Sequence, residues 1–118
     1  QDVLSPALSA EEGSWVMEQF LNKNVSFDAV FGFTETAVLG AKSAIQKRGL
    51  RIPEDVALCC MSGTALATLV HPQLTAVEQP IEKMAQECCR LLLEHIADCN
   101  RNTEEMALRG ETVIREST

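Results

Sequence analysis

Residues 27–61 read FDAVFGFTETAVLGAKSAIQKRGLRIPEDVALCCM. Phe27–Phe33 is a short apolar run rich in β-forming residues, and it predicts a strand buried on both faces. Glu35–Arg48 carries apolar residues at helical spacing and is followed by Gly49, a pattern typical of a helix and its end. Asp55–Met61 is apolar again and predicts a second strand. A strand, a helix and a strand in this order indicate an α/β unit with a parallel sheet.

The flanking sequence continues this alternation of helices and strands. Ser9 stands three residues before Glu12, a capping-box pattern that predicts a helix over Ala10–Asn22. Further segments follow along the chain: a short helix at Ala65–Val70, a strand at Leu74–Val77, a long amphipathic helix at Pro80–Ile96, and strand pieces at Val3–Leu4, Met106–Leu108 and Thr112–Ile114. The predicted fold class is therefore α/β, with three α/β/α layers and a mostly parallel sheet.

Size and charge limit the classes of function. The chain has 118 residues, the usual size of one domain, and no apolar run long enough to span a bilayer, so we expect no membrane partner. Its net charge of −7 excludes direct binding of nucleic acid by this segment, because phosphate backbones attract an excess of Lys and Arg. The chain begins at Gln1 without a leader pattern, so we expect a processed chain or a fragment.

Cysteine and histidine usage indicates neither a metal site nor a catalytic site. The five cysteines include two adjacent pairs, which form a poor disulfide framework and are typical of reduced thiols in a cytoplasmic protein. His71 and His95 are isolated, and no spacing typical of zinc ligands occurs. Cys59 and Cys60 lie within an apolar strand and Cys88 and Cys89 within a helix, where thiols are expected to be buried and inert. We therefore expect no catalytic residues, no metal and no cofactor.

Polar residues follow the two central strands at the edge where parallel sheets bind ligands. Thr34 and Glu35 follow the first strand, and Ser62 and Thr64 follow the second. These residues are the best placed to meet a small molecule. Alternatively, Thr34 or Thr36 caps the second helix and Ser62 caps the short one. Trp15 and Phe20 could form a face that stacks on a sugar, but packing on their own helix is the simpler interpretation.

Several stretches in order resemble one known family. They are Asp28–Phe31, Ala37–Ala41, Gly49–Leu58, Pro72–Pro80 with Met84, and Val113–Ser117. Together they resemble the effector-binding domain of LacI/GalR-type transcriptional regulators over about residues 8–118. The resemblance implies that the whole chain, 1–118, is the C-terminal portion of a two-lobed domain similar to a periplasmic sugar-binding protein. The helix from Pro80 to Ile96 would lie in the first lobe, and the helix-turn-helix DNA-binding domain would lie outside this chain.

The same resemblance implies a mechanism and a set of effector-binding residues. A small molecule, expected to be related to a sugar, binds between the lobes and allosterically changes how a homodimer presents its DNA-binding domains. The positions implied to bind the effector are Leu8, Thr34, Glu35 and Ser62. Many family members carry an aromatic residue, Asn-Asp and Gly-Phe-Asp-Asp at these places. Since Ser62 cannot make the paired carboxylate contact to hydroxyls, a simple hexose is a less expected ligand than another sugar, a phosphorylated or less polar metabolite, or no effector.

The resemblance also implies a symmetric dimer interface, formed by the second helix (Ala37–Arg48) and the stretch Leu66–Val77. The residues predicted to form it are Val38, Ala41, Lys42, Ile45, Leu69 and Leu74. Two other classes of function remain open. One is a lobe of an exported solute-binding protein for a sugar or related metabolite, against which the free cysteines argue. The other is an enzyme on an α/β fold, against which the lack of a nucleophile–base pair argues.

Overall fold

The computed structural model describes residues 8–23, 25–102 and 104–118. Helices and strands alternate along these residues, as the sequence predicts. The elements are α1 (Ala10–Asn22), β1 (Ala29–Gly32), α2 (Glu35–Lys47), β2 (Ala57–Cys60), α3 (Leu66–Leu69), β3 (Thr75–Glu78), α4 (Ile81–Ala97) and β4 (Glu111–Val113). The predicted strand piece at Val3–Leu4 lies outside the described residues. The one at Met106–Leu108 is wrong, because the chain there is irregular and β4 begins only at Glu111.

The start of α1 and the end of α2 follow the predicted capping chemistry. Ser9 Oγ accepts a hydrogen bond from the backbone N–H of Glu12 at 3.1 Å, and the Glu12 carboxylate accepts one from the backbone N–H of Ser9 at 3.1 Å. Hydrogen bonds from the backbone N–H groups of Leu8 and Ser9 lower the pKa of the Glu12 carboxyl. After the C-terminal end of α2, Gly49 has a φ of 76°, a left-handed conformation in which a side chain would be strained.

The four strands lie in the order β1-β2-β3-β4, and β1, β2 and β3 run parallel. Residue pairs run from Ala29 opposite Ala57 to Gly32 opposite Cys60. This confirms the prediction of an α/β fold with a mostly parallel sheet. The prediction that the first strand is buried on both faces is wrong. Because β1 lies at an edge of the sheet and α2 packs on one face only, the side chain of Phe31 on the other face is exposed.

The core lies between α2 and one face of the sheet. Its largest fully buried apolar side chains are Ile45, Leu58, Leu74 and Val38. α1 packs along α2 and contributes Met17 to this core. Two glycines permit this close packing: a Cβ on Gly13 would lie 2.1 Å from the carbonyl oxygen of Ala37, and one on Gly40 would lie 1.9 Å from that of Ala10.

The chain divides into two compact units. One comprises the described residues up to Glu78 together with Thr112–Thr118, and the other comprises Gln79–Glu111. The second unit contains α4, which has no buried residue even though its sequence is strongly amphipathic. Its polar side is occupied by ion pairs from Arg90 to Glu87 and Glu94, at 2.8 and 2.9 Å. Of the helices described, none combines the length and the apolar character that crossing a membrane requires.

Candidate functional site

The carboxyl ends of β1 and β2 meet at one edge of the sheet. The strands are parallel and in register, and the backbone N–H of Met61 donates to the carbonyl oxygen of Gly32 at 2.9 Å. The segment after β1 (Phe33–Thr36) therefore lies beside the segment after β2 (Met61–Thr64). In open parallel sheets this edge is where ligands bind, because loops and helix N-termini leave polar groups free there.

Thr34 begins α2 and also reaches the start of α1. Its Oγ1 accepts a hydrogen bond from the backbone N–H of Ala37 at 3.3 Å, so the expected capping role of Thr34 is confirmed. Both Thr34 and Thr36 donate their hydroxyls to the carbonyl oxygen of Leu8, at 3.5 and 2.8 Å. The structure thus brings Leu8 to the edge of the sheet that holds Thr34. The side chain of Leu8 is 65% exposed.

Glu35 is buried and bound to Thr64. The glutamate is only 5% exposed. One carboxylate oxygen accepts from the backbone N–H of Thr64 at 3.1 Å, and the other accepts from its hydroxyl at 2.5 Å. The Thr64 hydroxyl in turn accepts from the backbone N–H of Leu66 at 3.3 Å, at the start of α3. These bonds join the N-terminus of α2 to the loop between β2 and α3.

Ser62 lies in a loop that is held on both sides. Its carbonyl oxygen accepts from the Cys60 thiol, with 3.4 Å between sulfur and oxygen. The next residue, Gly63, donates its N–H to the carbonyl oxygen of Val77 at 3.1 Å, and a Cβ on Gly63 would lie 2.5 Å from that of Ala76. The prediction that Ser62 caps the short helix is wrong, because α3 begins after Ala65 and the side chain that accepts from its first N–H is that of Thr64. Ser62 is half-buried.

The rest of this edge is apolar. Phe33 and Met61, which come directly before Thr34 and Ser62, have exposed side chains, as does Leu66 at the start of α3. Sequence reasoning did not single out these apolar residues, nor the contact of Thr36 with Leu8. The signal for Thr36 was present, since a Thr-x-Thr pair at a helix N-terminus offers one hydroxyl for capping and one for another partner.

Most residues predicted to form a dimer interface lie in the chain's own core. Val38, Ala41, Ile45 and Leu74 are buried, because the apolar side of α2 faces the sheet. These four side chains therefore do not reach a surface, and that part of the prediction needs correction. Leu69 is 77% exposed at the end of α3.

Lys42, another of the predicted interface residues, is buried with its ammonium group bound. Its Nζ donates to the carbonyl oxygen of His71 at 2.7 Å. Burial lowers the pKa of this amine. The lysine therefore joins α2 to the loop that follows α3.

The cysteines differ in exposure. Burial raises the pKa of the Cys59 and Cys60 thiols, which favours the unreactive protonated form. Cys99 is exposed beyond the end of α4, and Cys88 and Cys89 within α4 are exposed as well, so the expectation that the helical cysteines are buried is wrong. The reason is that α4 buries no side chain among the described residues. Among those residues, no three potential metal ligands lie together.

The sequence of the chain matches a known protein family. A family model described as the periplasmic binding protein-like domain matches residues 3–118. The chain belongs to this family. The match confirms the predicted periplasmic-binding-protein-like fold class, and the resemblance to LacI-type effector domains is confirmed by relatives and solved structures.

Among the relatives of this periplasmic binding protein-like chain is the HTH-type transcriptional repressor PurR of Vibrio vulnificus, 35% identical over 75% of the chain and 27% of the relative. A solved structure from Sanguibacter keddieii, described as a candidate LacI-family transcriptional regulator, has a TM-score of 0.90 and 32% identity, over 98% of this chain and 43% of its own. A LacI family transcriptional regulator from Arthrobacter in complex with lactose has a TM-score of 0.85 and 25% identity, over 94% and 42%. The chain thus spans about a quarter to under a half of these proteins.

Proposed function

We propose that this chain is the effector-sensing and dimerising part of a LacI-type DNA-binding transcriptional regulator. It forms the C-terminal portion of the effector domain, and other segments of the protein supply the DNA-binding domain. The observation that carries the proposal is that the carboxyl ends of β1 and β2 meet at the sheet edge where parallel sheets bind ligands. The relatives of the chain are named as transcriptional regulators. The net charge of −7 supports assigning DNA contact to another domain. The regulator acts in the cytoplasm, in keeping with the free cysteines.

The proposed effector is a small molecule related to a sugar, bound between the lobes. It contacts Leu8, Thr34 and Ser62, and Glu35 belongs to the same site. The lactose complex of the Arthrobacter regulator supports a saccharide ligand class. The exposed apolar side chains of Phe33 and Met61 favour a ligand that presents an apolar face as well as hydroxyls. Binding stabilises one arrangement of the lobes, by as much as the affinities for the two arrangements differ.

The full-length protein that contains this chain provides the test. Lactose, cellobiose and ribose are titrated separately by isothermal calorimetry, and operator binding is followed in parallel with and without each sugar. The proposal predicts saturable binding of at least one sugar, with a change in DNA affinity. Sugar binding without any DNA binding would instead support a lobe of a solute-binding protein. Turnover of a sugar would make the protein an enzyme.

A further inference from the structure

Glu35 has an environment unlike that of a ligand-contacting acid. Both of its carboxylate oxygens accept hydrogen bonds from Thr64, at 3.1 and 2.5 Å, and the residue is only 5% exposed. A buried carboxylate is costly unless hydrogen bonds replace its hydration. These two bonds provide that replacement, so the favoured state of the carboxylate is bound to the loop rather than turned towards solvent.

The loop that Glu35 holds is the one that carries Ser62. Its backbone is also fixed on the side of β3, where the N–H of Gly63 donates to Val77 at 3.1 Å. On the side of β2, the Cys60 thiol donates to the carbonyl oxygen of Ser62. Burial together with the nearby charge of Glu35 raises the pKa of this thiol, which keeps it a donor. The residues on both sides of Ser62 are therefore held in place, by β3 through Val77 and by α2 through Glu35.

The same glutamate directly follows Thr34, the residue that caps α2. Thr34 and Ser62 follow different strands, β1 and β2, and have no hydrogen bond to each other among the described contacts. The route Thr34–Glu35–Thr64–Ser62 joins them through two hydrogen bonds and the chain itself. A ligand site needs its polar groups held at fixed separation, because ordering them upon binding lowers affinity.

We propose that Glu35 is a positioning residue, which holds the β2–α3 loop against the N-terminus of α2 so that Ser62 and Thr34 are presented together. It acts through Thr64 and does not touch the ligand. This inference rests on the proposed function, since it assigns Glu35 its role within the same site.

Hydrogen–deuterium exchange in the full-length protein tests the inference without knowledge of the ligand. The variant Glu35→Ala removes both acceptors, and Glu35→Gln keeps the size of the side chain and one acceptor. The Thr64 amide is expected to exchange at least about tenfold faster in Glu35→Ala, since it loses an acceptor that carries a charge. Glu35→Gln is expected to show a smaller increase, and amides of β2 such as Leu58 should keep their rates in both variants.

Glu11→Ala is the matched control. Glu11 also lies in the first turn of a helix, α1, but it is exposed. Its removal deletes the same favourable charge at a helix N-terminus and should leave the Thr64 amide unchanged. The inference is overturned if Glu35→Ala leaves the Thr64 amide at its original rate, or if it accelerates the Leu58 amide as much, which is the mark of general destabilisation.

Calorimetry with lactose, cellobiose and ribose separates this inference from the proposed function. If one sugar binds the original protein, Glu35→Ala should lower the affinity for that sugar about tenfold or more. Unchanged affinity would overturn the positioning role. If none of the sugars binds, the proposed ligand class fails, and the exchange experiment still decides whether Glu35 holds the loop.

Discussion

Ser117 and Leu58, which lies in β2, form two hydrogen bonds with each other. The backbone N–H of Leu58 donates to the carbonyl oxygen of Ser117 at 2.8 Å, and Ser117 Oγ donates to the carbonyl oxygen of Leu58 at 2.6 Å. The same Oγ accepts from the backbone N–H of Thr75 at 2.9 Å. Ser117 is fully buried, so the C-terminal segment satisfies polar groups of both β2 and β3.

Ser117→Ala is therefore expected to destabilise the fold. The substitution leaves a buried carbonyl oxygen and a buried N–H without these partners, which costs about 1–3 kcal/mol. Urea denaturation of the original protein and the variant measures the difference. Ser43→Ala, at an exposed position of α2, is the control and should change stability by less than about 0.5 kcal/mol. Equal effects of the two substitutions would show that Ser117 has no special role.

Gly40→Ala should separate α1 from α2. The added methyl group would lie 1.9 Å from the carbonyl oxygen of Ala10 and 2.8 Å from the backbone nitrogen of Ser14, so backbone must move. Such overpacking costs about 2–3 kcal/mol. Gly49→Ala is the comparison, because no described atom lies within 4 Å of a Cβ at Gly49, whose positive φ is what opposes a side chain. It should cost about 1 kcal/mol. Urea denaturation measures both losses of unfolding free energy, and a smaller loss in Gly40→Ala than in Gly49→Ala would contradict the close packing of α1 on α2.

Asp55 should contribute to stability at neutral pH and lose that contribution in acid. Hydrogen bonds from Arg51 lower the pKa of its carboxyl from 3.8 to about 2. Because the folded pKa lies below the ordinary value, the contribution is present above about pH 4 and declines as the pH falls towards 2. Asp55→Asn removes it. The difference in melting temperature between the original protein and the variant should shrink from pH 5 to pH 2, and a constant difference would contradict the assignment.

Thr34 and Ser62 should affect effector affinity in separable ways. Thr34→Ser keeps the hydroxyl that caps α2, whereas Thr34→Ala removes it and should cost about 1 kcal/mol of stability. Ser62→Ala should lower affinity with little change in melting temperature, since the described bonds of Ser62 use its carbonyl oxygen. Calorimetry and thermal melting, done on all three variants, measure both quantities. Unchanged affinity in both Thr34→Ala and Ser62→Ala would place the ligand elsewhere.

Leu69 should mark the dimer interface. It is the predicted interface residue with a well-exposed side chain, so Leu69→Glu should convert a dimer to a monomer in light scattering at micromolar concentration. Val25→Glu, at another exposed apolar position, is the control and should leave the dimer intact. A protein that is monomeric before any substitution would refute the interface as a whole.

The helices and strands could be predicted because their signals are local. Ser9 with Glu12, and Thr34 before an apolar periodicity, define helix starts within four residues of chain. The common edge of Thr34 and Ser62 followed from the rule for parallel strands.

Contacts that depend on distant elements could not be predicted in the same way. The apolar side of α2 was assigned to a partner, because periodicity shows that a helix has an apolar side and not what covers it. The sequence of α1 likewise does not show that the backbone of α2 approaches Gly13 too closely for a Cβ. The bond of Glu35 to Thr64 joins residues 29 positions apart, and that of Ser117 to Leu58 spans 59. No pattern along the chain indicates either pair.

The coding sequence upstream of the Gln1 codon tests the central claim most directly. If the chain is the effector-sensing part of a LacI-type regulator, the reading frame should continue upstream into a first lobe and, before it, a helix-turn-helix domain rich in Lys and Arg. A secretory signal peptide followed by a first lobe, with no DNA-binding domain, would contradict the account and make the chain half of a periplasmic binding protein.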